Sequence, residues 1–453
     1  MAETARKSRK RVRHMREIPG QVREIMETLE RAGYEAWCVG GAVRDRLLGR
    51  EPGDWDVTTN ALPETVLALF GKRAIPTGLQ HGTVTVDGGR GVEVTTYRRD
   101  GEYLDNRHPE HVEFTGSLRE DLARRDFTVN AIAMDLRGEL CDPFGGQEDL
   151  RRGLIRAVGA ADDRFGEDAL RIMRGLRFSA RLGFAIEEKT AAAMHGCRQL
   201  LRNIAPERLR TELTGLLCGE YAREVLLTYP DVLGVFLPEV LPCVDFDQRS
   251  RYHCYDVWEH TAHTVAAAPA EPVLRYTMLF HDIGKPDTFT LDDDGQGHFY
   301  GHCKRSGELA DSIMQRLRFD NRSRKLITML VEQHDVPLHE SARAVRRMLA
   351  KYGEETLRLL LQVKRADNLG QAEEFRGRLA DIDRWEKLME EVLQSESCFS
   401  LKDLSVKGNE LITLGIKGKA VGAALDRLLE LVVDGDLPND REALLRHVKE
   451  NLL

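Results

Sequence analysis

Three things are scarce in this 453-residue chain: paired cysteines, long apolar runs and aromatic side chains, the last making up only 6 %. The eight cysteines (Cys38, Cys141, Cys197, Cys218, Cys243, Cys254, Cys303 and Cys398) are scattered without a CxxC pair. That argues against a zinc ribbon and a disulfide framework, and predicts free thiols in a reducing cytosol. A membrane-spanning helix needs about 20 consecutive apolar residues, and no run approaches that length. Nothing at the N-terminus resembles a signal peptide, so the expectation is a cytoplasmic protein with no membrane partner. A net charge of −8 does not suit a general nucleic-acid binder. Lysine is also missing from residues 151–181, a stretch that nevertheless holds eight arginines. Arginine's planar fork recognises phosphates and bases, so that local bias points to a phosphate- or base-bearing ligand. The basic "RKSRKRVRHMR" at 6–16 is expected to be a solvated tail, with phosphate contact as the alternative.

What the chain does contain is punctuated helix and strand patterning. "VREIMETLERAG" has helical apolar spacing, "YEAWCVGG" reads as a strand entering a Gly-Gly turn, and "AVRDRLLG" as a helix. "DWDVTT" reads as a second strand, "PETVLALFG" as a helix, and "GTVTVDGGRGVEVTTYR" as a hairpin with strands at 83–86 and 91–97. From 118 to about 225 the pattern becomes helical, and from 253 onward almost wholly so. The proline-bearing "LPEVLPCVDFDQRS" at 237–250 reads as a domain boundary.

Side chains two apart on a strand point the same way. Asp54 and Asp56 would therefore share a face and grip one or two Mg2+ ions, which prefer oxygen ligands and substrate phosphates. Glu93, on the later strand "VEVTTYR", would supply a third carboxylate if that strand lies beside the first. Such a cluster suits in-line phosphoryl transfer with release of pyrophosphate. Just upstream, Gly40 and Gly41 let backbone approach a phosphate, and Arg44 in the following helix adds a fork for a triphosphate.

These blocks together carry a resemblance. "GGAVRDRLLGREPGDWDVTT", "EVTTYR", "RRDFTVNAIA", "DPFGGQEDL", "EDALRIMRGLRF" and "ERLRTEL" occur in the order seen in the tRNA nucleotidyltransferase and poly(A) polymerase family, the bacterial class II branch of the polymerase-β-like superfamily. The resemblance covers roughly residues 30–220. It implies that Asp54 and Asp56 are the magnesium ligands, that Gly41 and Arg44 contact the triphosphate, and that Arg125, Asp126 and Asn130 face the nucleotide's ribose and phosphates.

"EDALRIMRGLR" invites a chemical reading of its own. On a helix, Asp168, Arg171 and Arg174 would share a face, with Arg177 near its edge. Cytosine and adenine each present an amino donor beside a ring-nitrogen acceptor, whereas uracil and guanine present a carbonyl and an N–H. Asp168 only accepts and Arg171 only donates, so a fixed pair fits C and A and opposes U and G. The resemblance implies the same role, a protein template. It also places at 97–114 a flexible loop required for the final A, which favours addition of the whole CCA.

The second half holds another pattern. His260, the adjacent His281 and Asp282, and Asp367 follow an H…HD…D order that resembles the HD phosphohydrolase superfamily. The resemblance implies a divalent metal that activates water, with His298, His302 and His334 available for a second ion; a helical body that only packs is the alternative. The "LGIKGKAVGAALDRLLELV" segment at 414–432 has a Gly/Lys turn entering a helix, a place for an RNA phosphate or an ordinary loop. "LKDLSVKGNELITLGIKGKAVG" at 401–422 resembles the family's C-terminal segment, which implies a tRNA-binding end.

The expected fold is an α/β polymerase-β-like head followed by a mostly helical neck, an HD-type helical domain and a helical tail. The expected divisions are a basic tail at 1–17, head at 18–150, neck at 151–240, HD-type domain at 241–370 and tRNA-binding tail at 371–453. The expected activity is CCA addition to tRNA from CTP and ATP with Mg2+, with a second divalent metal in the HD domain. An A-adding enzyme, a poly(A) polymerase, and an HD phosphohydrolase with an RNA-binding head stand as alternatives.

Overall fold

The computed structural model describes residues 18–87, 91–101, 112–249, 254–371, 373, 376–395 and 398–452. The basic tail, the turn residues 88–90 and residues 102–111 of the expected flexible loop lie outside these. The chain divides into two compact units, residues 1–238 and 239–453.

The first unit is built on a seven-stranded sheet. Its strands are β1 (Ala36–Val39), β2 (Asp56–Thr59), β3 (Ala74–Gly78), β4 (Thr83–Val86), β5 (Val92–Thr96), β8 (Ala133–Met134) and β9 (Leu140–Cys141), in the order β3-β4-β5-β2-β1-β8-β9. A separate hairpin joins β6 (Arg98–Asp100) and β7 (Val112–Phe114). All pairings in the large sheet are antiparallel except β2 with β5, which run parallel with Asp56 opposite Glu93. The two expected hairpin strands thus exist, and β5 does lie beside β2. The stretch after 118 is less uniformly helical than its pattern suggests. Strands β8 and β9, two residues each, extend the sheet beyond β1, where pairing with a preformed edge substitutes for any alternating pattern.

Helices follow the sheet. The Gly20–Arg31 helix buries Val22, Ile25, Met26 and Leu29, one apolar stripe. The Gly41–Leu47 helix starts directly from β1. The Leu170–Leu182 helix packs against the Pro206–Leu217 helix, and Gly175 permits the close approach of Phe127, whose ring a Cβ there would meet at 2.8 Å.

In the second unit, helices Val257–Ala267, Pro272–Phe280, Asn321–Gln333 and Glu354–Leu369 pack on one another. Leu330, Val345, Leu349, Leu357, Leu360, Leu361, Ile382, Trp385, Met389 and Val392 form one core. The Arg378–Ser395 helix contributes to that core, beyond residue 371. A separate core from Cys398 to Val448 includes Leu404, Leu411, Leu428 and Leu444. All eight cysteines are free thiols. Among the described residues, no helix is long and apolar enough to cross a membrane.

Candidate active site and metal centre

Where β1 ends, Gly40 takes φ +73°, a left-handed conformation that favours glycine, and a Cβ there would lie 3.2 Å from Arg125 Nη1 and 3.8 Å from Asp56 Oδ2. The turn therefore brings backbone close to both groups. A cavity of about 680 Å³ opens here, and its walls include Gly40, Gly41, Arg44, Asp54, Asp56, Arg125, Asp126, Asn130, Asp168, Arg171, Arg174 and Arg177. Every expected nucleotide-binding residue lines it. Glu93 does not line it and is exposed.

Asp54 is not on the strand. β2 begins at Asp56, and Asp54 sits exposed in the irregular approach to it, so same-side strand geometry is not what brings the two together. The carboxylates still sense each other. Burial, then Glu93 and Asp54, push the Asp56 carboxyl above its usual range, and Arg125 only partly offsets them. Asp54 and Asp56 thus offer carboxylate oxygens of the kind a hard divalent cation takes, on one cavity wall; among the described residues Glu93 does not close a three-ligand cluster with them.

Several arginines on the cavity wall are held by acceptors. Arg44 donates through Nη1 to Asn130 Oδ1 at 2.7 Å and pairs with Asp45 at 2.8 Å. Asp121, fully buried, pairs with Arg124 at 2.7 Å and lies 3.6 Å from Arg125. Asp126 accepts from the Phe127 amide at 2.8 Å, from Asn130 Nδ2 at 3.1 Å and from Arg174 Nε at 2.8 Å. Burial alone would raise the Asp126 carboxyl, but Arg174 and these hydrogen bonds hold it down at about 2. Arg177 pairs with Glu212 at 2.5 Å.

The expected face of Asp168, Arg171 and Arg174 needs one correction. Asp168 is not on the helix with Arg171 and Arg174. It lies in extended conformation (φ −134°) between the Ala161–Glu167 and Leu170–Leu182 helices, and its Oδ1 accepts from the Leu170 amide at 3.0 Å. The carboxylate serves the start of the next helix, a role the i,i+3 pattern conceals. Its other oxygen lies 3.3 Å from Arg208 Nη2. Arg171 is buried and braced by Glu167 at 2.7 Å and the carbonyls of Arg164 at 3.2 Å and Arg124 at 3.0 Å. Both groups nonetheless line the same cavity. Arg181, Arg208 and Phe178 line it too, without having been singled out from the sequence. Arg208 lies in the quoted "ERLRTEL", so an arginine count over that block would have found it.

The second unit holds a separate cluster. His260 lies on the Val257–Ala267 helix and Asp367 on Glu354–Leu369, while His281 and His334 cap the ends of Pro272–Phe280 and Asn321–Gln333. His260 Nε2 is 3.0 Å from Asp367 Oδ1 and 3.3 Å from His281 Nε2. Asp282 faces two ways: Oδ2 lies 3.2 Å from His281 and 3.6 Å from His260, and Oδ1 lies 3.5 Å from His302 and 3.8 Å from His334. His281, His302 and His334 each donate Nδ1–H to the carbonyl three residues back, at 2.7, 2.8 and 2.7 Å. A carbonyl only accepts, so these bonds aim every Nε2 into the cluster, an orientation that suits metal ligation. Burial alone would lower His281; the carboxylates of Asp282 and Asp367 outweigh it and raise it to about 10. A positive charge is thus favoured at the centre. Lys285, three residues after Asp282, supplies one at 2.7 Å from its carboxylate. His298 is not part of the cluster; it bonds Asp292 at 2.9 Å on a short hairpin.

Comparison with known proteins accords with this geometry. Residues 36–156 match the poly A polymerase head domain, 183–242 the probable RNA and SrmB-binding site of polymerase A, and 299–448 the putative domain 2 of tRNA nucleotidyltransferase. A CCA-adding enzyme of Levilactobacillus brevis is 36 % identical over 439 residues, 96 % of this chain and 99 % of that one. One from Geobacillus kaustophilus is 54 % identical over 216 residues, 47 % of this chain and 53 % of that one. The crystal structure of the Bacillus stearothermophilus CCA-adding enzyme in complex with CTP aligns with a TM-score of 0.72 at 32 % identity, covering 95 % of this chain and 97 % of that one. The chain belongs to the CCA-adding enzyme family.

Proposed function

We infer that this protein adds CCA to the 3′ end of tRNA from CTP and ATP, in the cytoplasm, with Mg2+ as the metal of transfer. The observation that carries this reading is the meeting of Asp54, Asp56, Arg44 and the Asp168–Arg171 block in one cavity of about 680 Å³. Asp54 and Asp56 would hold the metal, with Glu93 beside them on the paired strand. When bound, Mg2+ would polarise the attacking 3′-hydroxyl and neutralise charge on the departing pyrophosphate. Gly40 and Gly41 admit the phosphates, and Arg44, Arg125 and Asn130 orient them and the ribose. Asp168 accepts from the amino group of C or A, and Arg171, fixed by Glu167 and two carbonyls, donates to the ring nitrogen. The fine division into head, neck, HD-type domain and tail, with tRNA held along the Arg-rich neck and the C-terminal helices, belongs to the same proposal.

The test is stepwise addition to tRNA lacking its last three nucleotides. With CTP alone the product should grow by two residues, and with ATP added by one more. Growth only when CC is already present identifies an A-adding enzyme, and a long A tail identifies a poly(A) polymerase.

A second activity is favoured by the convergence of imidazole Nε2 atoms on both oxygens of Asp282. His260, His281, Asp282 and Asp367 would hold one divalent metal, and His302 and His334, on the other oxygen, a second. Bound there, the metal would supply an activated water for hydrolysis of a phosphate ester.

A further inference from the structure

Phe178 ends the "RGLRF" run and is 7 % exposed. Three guanidiniums lie over its ring: Arg177 at 4.6 Å from the centroid, Arg44 at 5.1 Å and Arg174 at 5.5 Å. Each is within the range of attraction to an aromatic face. Their acidic partners are all different: Asp45 for Arg44, Asp126 for Arg174 and Glu212 for Arg177. Asn130 links two of them, accepting from Arg44 and donating to Asp126, while Arg177 bonds Glu212 outside that chain. The ring is the group all three share. It is itself fixed by Phe127, fully buried and packed edge-on with centroids 5.9 Å apart and an 87° angle.

We propose that Phe178 is a positioning residue of the transfer site, holding Arg44, Arg174 and Arg177 as one cationic set and tying the phosphate-side Gly41–Leu47 helix to the base-side Leu170–Leu182 helix. The proposal rests on the nucleotidyl-transfer reading. An incoming triphosphate competes with Asp45, Asp126 and Glu212 for these guanidiniums. A hydrogen-bonded ion pair is directional and is lost when the guanidinium turns. Attraction to a ring face tolerates rotation in the plane of the guanidinium. The arginines can thus exchange carboxylate for phosphate and stay at the cavity wall. Arg44 comes from the phosphate side, common to all nucleotides, so CTP and ATP should depend on the ring alike.

Replacing Phe178 with mono-, di- and trifluorophenylalanine by site-specific incorporation withdraws charge from the ring face while almost preserving its shape. In steady-state addition to tRNA acceptors, KM for CTP and for ATP should rise together in steps, reaching about tenfold at the trifluoro ring. The kcat should stay within about twofold and the melting temperature should not move. Phe178→Tyr should behave as the parent, and Phe178→Leu should raise KM at least as far as the trifluoro ring. A KM that stays flat across the fluorinated series, with Phe178→Leu lowering only the melting temperature, overturns the proposal and makes the ring packing alone. A parent enzyme that adds no nucleotide at all sinks the transfer reading itself, an outcome distinct from normal transfer with a flat series.

Discussion

Asp126 Oδ2 stands 2.6 Å from Arg174 Nη2, with the carboxylate buried and the guanidinium about one-third exposed. This pair joins the loop that follows the Leu118–Ala123 helix to the Leu170–Leu182 helix that carries Arg171, so it links local stability to the shape of the cavity. Asp126→Ala removes a charge-assisted pair and leaves the Phe127 amide and Asn130 without their acceptor. The expected cost is about 1–3 kcal/mol, below that of a fully buried pair because Arg174 can turn to water. The pH dependence follows from sign. The Asp126 carboxyl is depressed to about 2, so its contribution is complete above the ordinary aspartate range and fades as pH falls through 4 toward 2. Acid denaturation followed by circular dichroism should show the parent losing this increment over that range and Asp126→Ala lacking it.

Asp56 behaves in the opposite sense. Burial and the neighbouring carboxylates raise its pKa, so its ionised form opposes folding at neutral pH without metal. Asp56→Asn should match or exceed the parent in metal-free melting temperature while losing nucleotide addition by about 10³-fold or more. Asp54→Asn, at an exposed position, should lose addition comparably with little change in melting temperature. Calorimetry paired with primer-extension assays checks both.

In the proposed reading, base choice rests on Asp168 and Arg171, which line one cavity. Asp168→Ala removes the acceptor for the amino group of C and A, and should raise UTP or GTP incorporation relative to CTP and ATP by about 10–100-fold. Glu167→Gln loosens the bracing of Arg171, and should erode discrimination less. Competition assays with all four nucleotides measure both.

In the second unit, His302→Ala should lower bound divalent metal after dialysis by one equivalent relative to the parent, and His281→Ala should lower it further. Elemental analysis of the purified chains checks this. Neither change should alter CCA addition by more than about twofold.

Much of the local structure was legible because apolar spacing and Gly/Pro punctuation are read over short windows. The Gly20–Arg31 helix and the β4–β5 hairpin are such cases. The two-residue strands β8 and β9 were not, because a pattern of period two needs more residues than they have; the edge of β1 makes them strands. Asp168 was misplaced because i,i+3 spacing cannot reveal that its carboxylate serves the Leu170 amide. Phe178 was invisible as a site residue because Arg44 reaches its ring only through the fold. His302 and His334 were legible as candidate ligands, but not that Asp282 would turn its second oxygen to them.

The central claim is that Asp54 and Asp56 grip a divalent cation against an incoming triphosphate. Anomalous diffraction from crystals soaked in CTP and Mn2+ tests it most directly. The account predicts a manganese peak within bonding distance of both carboxylates and of the triphosphate oxygens. CTP bound in another cavity, with both carboxylates facing solvent and no peak between them, would contradict it.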